Sequence, residues 1–159
     1  MFEDKTIQEK VDLYKKGFQS LSTKVPDNKR ILDFTPGAPH WSIREIIAHL
    51  SDTEGIYFVR FRKVLTEPIS DLLVFDQNSW YSRFNYGKKK IEESLQLLES
   101  LRNSNYRLLL SVAESEWNNR KYKQDNKEFS LDKLLDRNLN HFYGHLEIIN
   151  KRITQFNEN

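Results

Sequence analysis

Apolar residues recur along this chain at alternating steps of three and four, the spacing that lines them up on one face of a helix. Ile7, Val11, Tyr14, Phe18, Leu21 and Val25 make the first such stripe, which closes at Pro26. It opens on Thr6-Ile7-Gln8-Glu9, whose outer side chains can satisfy the free amides of a helix start. The same signature returns at Ser42-Ile43-Arg44-Glu45, with Trp41 just outside it as an apolar staple. Ile43, Ile46, Ile47, Leu50, Tyr57, Phe61 and Val64 follow, and Pro68 ends that run. Ile91, Leu95, Leu98, Leu101, Leu108, Leu109 and Val112 form a third stripe. Ser130 caps a fourth, with a seam of Leu135, Leu139, Phe142, Leu146, Ile149, Ile153 and Phe156. The pattern predicts helices near 6–24, 42–66, 89–114 and 130–156, hence an all-α four-helix bundle.

The connections read differently. Residues 27–40 form a loop whose stiff part is Thr35-Pro36-Gly37-Ala38-Pro39, and 66–88 is long for a bundle connection, which favours a functional role. Its Leu72–Phe75, Trp80, Tyr81, Phe84 and Tyr86 are expected to pack down. Residues 117–129 read as a polar connector with at most a short extended piece at 120–123, so no strand is expected.

Composition narrows the class. The 159 residues suit one domain, 1–159, able to bury roughly 70% of its unfolded surface. Lys and Arg total 25 against 23 Asp and Glu, too even for a nucleic-acid binder. The longest stretch without a charged side chain, Phe34 to Ile43, has ten residues, far short of a membrane span. The acidic N-terminus, Met1 to Lys5, lacks the apolar core of a signal peptide, so a cytoplasmic protein is expected. There is no cysteine, which excludes disulfides, thiolate ligands and a cysteine nucleophile.

The chemistry therefore rests on four histidines. His141 and His145 stand four apart on one helix and flank its seam, and His49 has the same relation to its own helix. Three neutral imidazoles would leave Zn²⁺ or Ni²⁺ an open position, the arrangement of a catalytic site; solvated flank histidines are the plainer alternative. Protons compete for those nitrogens, so binding should weaken as pH falls through about 6.5. His40, in the proline-rich loop, reads as a surface residue. Gly144 costs about 1 kcal/mol in mid-helix, which either room beside the site or close helix packing would explain. Asn138 could hold one imidazole in a single tautomer, and Asp52, three residues after His49, is the candidate base. No glutamate follows His141, so this is not the motif of a zincin protease.

The block Trp41-Ser42-Ile43-Arg44-Glu45-Ile46-Ile47-Ala48-His49-Leu50-Ser51-Asp52 resembles the start of the second helix in the DinB-like superfamily, nearest its YfiT, bacillithiol-transferase-like branch. The likeness continues through Val59-Arg60-Phe61-Arg62, Leu65-Thr66-Glu67, Phe75-Asp76 and Trp80, and resumes at His141-Phe142-Tyr143-Gly144-His145-Leu146. The resemblance implies an up-down-down-up bundle, often a homodimer, whose metal ligands would be His49, His141 and His145. Ala48 and Ile148 stand where relatives of that branch carry further histidines.

Three functions follow as expectations. A metal-dependent transferase would join a low-molecular-weight thiol to an electrophile, with the thiol supplied by a cosubstrate and its carboxylate held near Arg60 or Arg62. A metal-dependent hydrolase would use bound water, with Asp52 or a loop residue handling protons. A non-catalytic metal- or small-ligand-binding bundle, or a stress-response dimer, is the third. The aromatic stretch from Leu72 to Tyr86 would supply a dimer surface.

Overall fold

A computed structural model describes residues 2–158. Met1 and Asn159, the ends of the expected 1–159 domain, lie outside the described residues, as does the first position of the acidic N-terminus. Four long helices dominate: α1 (Ile7–Ser22), α3 (Ile43–Thr66), α5 (Ile91–Leu110) and α7 (Leu131–Asn157). Between them lie α2 (Lys29–Leu32), β1 (Ile69–Asp71), α4 (Gln77–Phe84), a 3₁₀ turn at Tyr86–Lys88, α6 (Glu116–Asn119), β2 (Lys121–Gln124) and β3 (Lys127–Ser130).

The long helices start where their caps dictate. Thr6 accepts from the Glu9 amide while the Glu9 carboxylate accepts from the Thr6 amide, and Ser42 and Glu45 repeat the exchange. Ser130 caps α7 by accepting from the Lys133 amide. Around the bundle, α3 and α5 pack together, α1 touches α5 and α7, and α7 completes the ring against α3. The helices joined by residues 23–42 are therefore diagonal partners, and so are α5 and α7. Two apolar clusters fill the interior, one around Tyr14, Phe61 and Leu139, the other around Ile47, Leu98 and Phe142.

The connections hold more structure than their sequence suggests. Three short strands form a sheet in which β1 pairs parallel with β2, and β2 pairs antiparallel with β3. The turn between β2 and β3 is Asp125-Asn126, both at positive φ, the backbone of a tight two-residue hairpin. Tyr122 projects from β2 into the core, and its ring stacks on Phe129. The polar connector is thus a hairpin covering one end of the bundle, anchored by Tyr122 and the partly buried Phe129 on two otherwise polar strands.

Polar side chains also enter the core. Glu54, 2% exposed, accepts hydrogen bonds from Tyr14, Arg102 (3.1 Å), Asn105 (2.8 Å) and Asn138 (3.4 Å), so all four long helices meet on one carboxylate. The Arg102 guanidinium lies 4.0 Å from the ring centroids of both Tyr14 and Phe142. Nearby, the buried Lys10 ammonium pairs with Asp132 at 2.6 Å and Asp136 at 2.8 Å, joining α1 to α7.

Candidate metal centre

His49 comes from the buried face of α3, and His141 and His145 come from successive turns of α7. One potential ligand nitrogen from each lies within 4.8 Å of the other two. His49 Nε2 and His141 Nε2 are 2.9 Å apart. Ring centroids are 5.0 Å (His49–His141), 4.9 Å (His49–His145) and 4.6 Å (His141–His145). Nitrogens bound at 2.0–2.1 Å to one tetrahedral ion would stand about 3.4 Å apart, so this spacing suits a divalent cation. The buried Nδ1 of His145 has no hydrogen-bond partner, which leaves a free lone pair or proton to be satisfied.

Electrostatics prepares the same group. Burial, then the nearness of His141 and His145, holds His49 down at about 3. Burial, His145 and the Arg60 charge hold His141 at about 3, and burial holds His145 at about 4. All three imidazoles are neutral near pH 7, as metal ligation requires. The sequence-based expectation that protons compete near pH 6.5 is corrected by this burial: in the folded protein the competition moves to about pH 3–4.

His141 and His145 open onto a groove of about 330 Å³ whose walls also include Trp41 and Ile46, with Ile148 and Arg152 from the next turns of α7. Trp41 does more than staple a helix. Its ring meets His49 edge-on at 5.0 Å and stacks on Tyr81 at 5.2 Å with 9° between planes. Tyr81 is fixed in turn by donating to Glu45 Oε1 (2.8 Å). This stack brings α4 over the groove, where Gln77 and Asn78 form part of its rim. The long 66–88 connection is therefore part of the site.

The other expected residues are distributed elsewhere. His40 is exposed at the groove's edge and outside the three-histidine cluster. Asp52 lies about 60° round α3 from His49. Its carboxylate faces Tyr86 and a separate depression with Lys89 and Lys90, and it does not line the groove. Asn138 reaches Glu54 instead of an imidazole. A β-carbon at Gly144 would meet nothing within 4 Å, which removes close helix packing as its explanation. Arg62 donates to the Phe58 carbonyl of its own helix and to Asn105 and Ser104 of α5, whereas Arg60 donates to the Leu73 carbonyl and its charge reaches His141. Arg152 stands seven residues after His145 on the same face of α7, and that spacing is the one signal of it in the sequence.

A helical bundle with three buried-edge histidines at a groove defines a class of candidate metalloproteins. The DinB superfamily model matches residues 19–149, and the chain belongs to that superfamily. Three curated bacterial proteins, each named "putative metal-dependent hydrolase", are similar to it. The one from Oceanobacillus iheyensis is 29% identical over 80 residues, covering 50% of this chain and 46% of that protein. YfiT of Bacillus subtilis is 25% identical over 107 residues, 67% of this chain and 60% of YfiT. The one from Halalkalibacterium halodurans is 34% identical over 61 residues, 38% of this chain and 35% of that protein. These alignments span about half the length of the curated relatives they match. A solved structure of YfiT, described as a "probable metal-dependent hydrolase with an unusual four-helix bundle topology", superposes with a TM-score of 0.88 at 18% identity. That superposition covers 99% of this chain and 91% of the YfiT chain, and the two share the bundle topology. Among the described residues, no helix is long and apolar enough to cross a membrane.

Proposed function

We propose that this chain is a metal-dependent enzyme that joins a low-molecular-weight thiol to a small electrophile, with Zn²⁺ or Ni²⁺ held by His49, His141 and His145. One observation supports it above the others: two of the three clustered imidazoles, His141 and His145, line a groove that, among its described lining residues, contains no carboxylate, and His49 stands behind them. When bound, a divalent ion supplies the acidity that makes a thiol a nucleophile at neutral pH. Attack by that sulfur needs no protein base, whereas hydrolysis ordinarily wants one beside the water. The chain has no cysteine, so the thiol arrives as a cosubstrate. His49, 1% exposed, fixes the inner ligand, and Trp41 and Ile46 keep water from one wall of the groove. The names of the three relatives favour a second reading, metal-dependent hydrolysis, in which the ion acidifies water.

Metal content separates the ligands from their neighbours. His49→Ala, His141→Ala and His145→Ala should each purify with little bound metal after untagged preparation, while His40→Ala keeps the wild-type amount. Equal content in all four variants would remove the triad. Metal-loaded protein should then conjugate a thiol to a chromogenic electrophile, and His145→Ala should abolish it. Ester or amide hydrolysis without conjugation would transfer the assignment to the hydrolase. The proposal includes a homodimer, supported by Val74 (71% exposed), Leu73 and Phe84 in the loop region. A monomer mass by light scattering at micromolar concentration would contradict it.

A further inference from the structure

The groove beside the histidines is asymmetric in charge. Arg152 forms part of its wall, yet the residue is only 5% exposed. Two of its five N–H donors are accounted for: Nε donates to the Trp41 carbonyl (3.0 Å) and Nη1 to Gln155 Oε1 (2.9 Å). Among the described residues, no aspartate or glutamate forms an ion pair with it. Burial alone presses on its charge, with no acid offsetting the cost. An arginine drawn into a wall and left without a counter-ion has donors to spare for an anion from outside.

Position sets the reach of such an anion. Arg152 is seven residues beyond His145 on α7, roughly 10 Å along the helix axis. Ile148, Trp41 and Ile46 line the same groove and offer apolar surface between the two ends, with Gln77 and Asn78 on its polar rim. We infer that the groove takes an elongated small molecule whose carboxylate pairs with Arg152 while its reacting end stands at the three histidines. This inference rests on the metal-centre reading above and adds the substrate class: a carboxylate separated from the reacting atom by a short apolar chain.

The test uses full-length protein loaded with Co²⁺, whose visible spectrum reports a sulfur joining the ion. 6-Mercaptohexanoate is titrated against its uncharged isostere 6-mercaptohexanamide, with mercaptoacetate, too short to reach Arg152, as the length control. The acid should bind about tenfold tighter than the amide. Mercaptoacetate should show no such advantage over mercaptoacetamide. Arg152→Gln should reduce the acid-to-amide ratio to about one, and Arg152→Lys should keep part of the preference. Equal affinity of acid and amide for the unmodified protein, or a preference that survives Arg152→Gln, overturns the inference. The first comparison needs no variant, so a folding defect in Arg152→Gln does not protect it. If neither thiol alters the spectrum, the thiol reading fails by itself. Suberic monohydroxamic acid against its carboxamide then decides the Arg152 preference through a different metal-binding head. A protein that takes up no cobalt overturns both readings.

Discussion

A β-carbon added at Gly17 would stand 2.7 Å from Arg102 Nη2 and 3.1 Å from the Phe142 ring. Arg102 cannot easily retreat, because it is bonded to Glu54 and the Tyr14 carbonyl and lies between two aromatic rings. Gly17→Ala should therefore destabilise by about 1–2 kcal/mol even after its gain in helix propensity. Gly144→Ala meets open space and should stabilise by up to about 1 kcal/mol. Urea unfolding of the two variants checks both signs. Glu54→Ala should cost about 3–5 kcal/mol by the same measurement, since it strands the buried Arg102 charge. A loss under 1 kcal/mol would mean that water or another acid replaces Glu54.

At the scale of elements, the long helices were readable because their signals are local. A cap, a stripe and a proline act within a turn or two, and α3 begins and ends within one residue of the expected span. The third stripe was only partly readable, since its buried face runs Leu98, Arg102, Asn105, Leu109, and no local rule places a guanidinium among leucines. The three histidines showed through their helical spacing and family blocks. The rest of the groove did not, because Trp41, Gln77 and Arg152 meet only after α4 folds back across α3. The hairpin was hidden for a similar reason: its strands are polar apart from Tyr122 and Phe129, and its turn lacks glycine. Asn126 adopts φ 60°, so Asn126→Gly should raise stability by up to about 1 kcal/mol. Asn126→Val should lower it by about 1–2 kcal/mol. Thermal melts of the pair would test the turn; identical melting temperatures would count against its conformation.

For the whole molecule, the three histidines link folding to pH. Each titrates near 6.5 in the unfolded chain and at about 3–4 in the fold, where burial is the first cause of the shift. Between those values the unfolded chain binds more protons, so metal-free protein should lose stability as pH falls from about 6.5 toward 3. Each histidine adds a slope of up to about 1.4 kcal/mol per pH unit within that window. Above pH 7 these groups should contribute no slope. Metal affinity of the folded protein should stay nearly flat from pH 8 to about 5. Midpoints of denaturant unfolding across pH, repeated in His145→Ala, would show whether the slope belongs to this cluster.

The contact between Trp41 and His49 gives the centre an optical gauge. Of the three tryptophans, Trp80 sits among Phe75 and Phe84, and Trp117 is enclosed in the core away from the histidines. Trp80→Phe with Trp117→Phe would leave one emitter, whose ring meets an expected ligand at 5.0 Å. A paramagnetic ion such as Ni²⁺ seated among the histidines should quench that light stoichiometrically, whereas Zn²⁺ should shift it with little loss. Fully loaded protein that glows unchanged with either ion would place the metal somewhere other than beside His49.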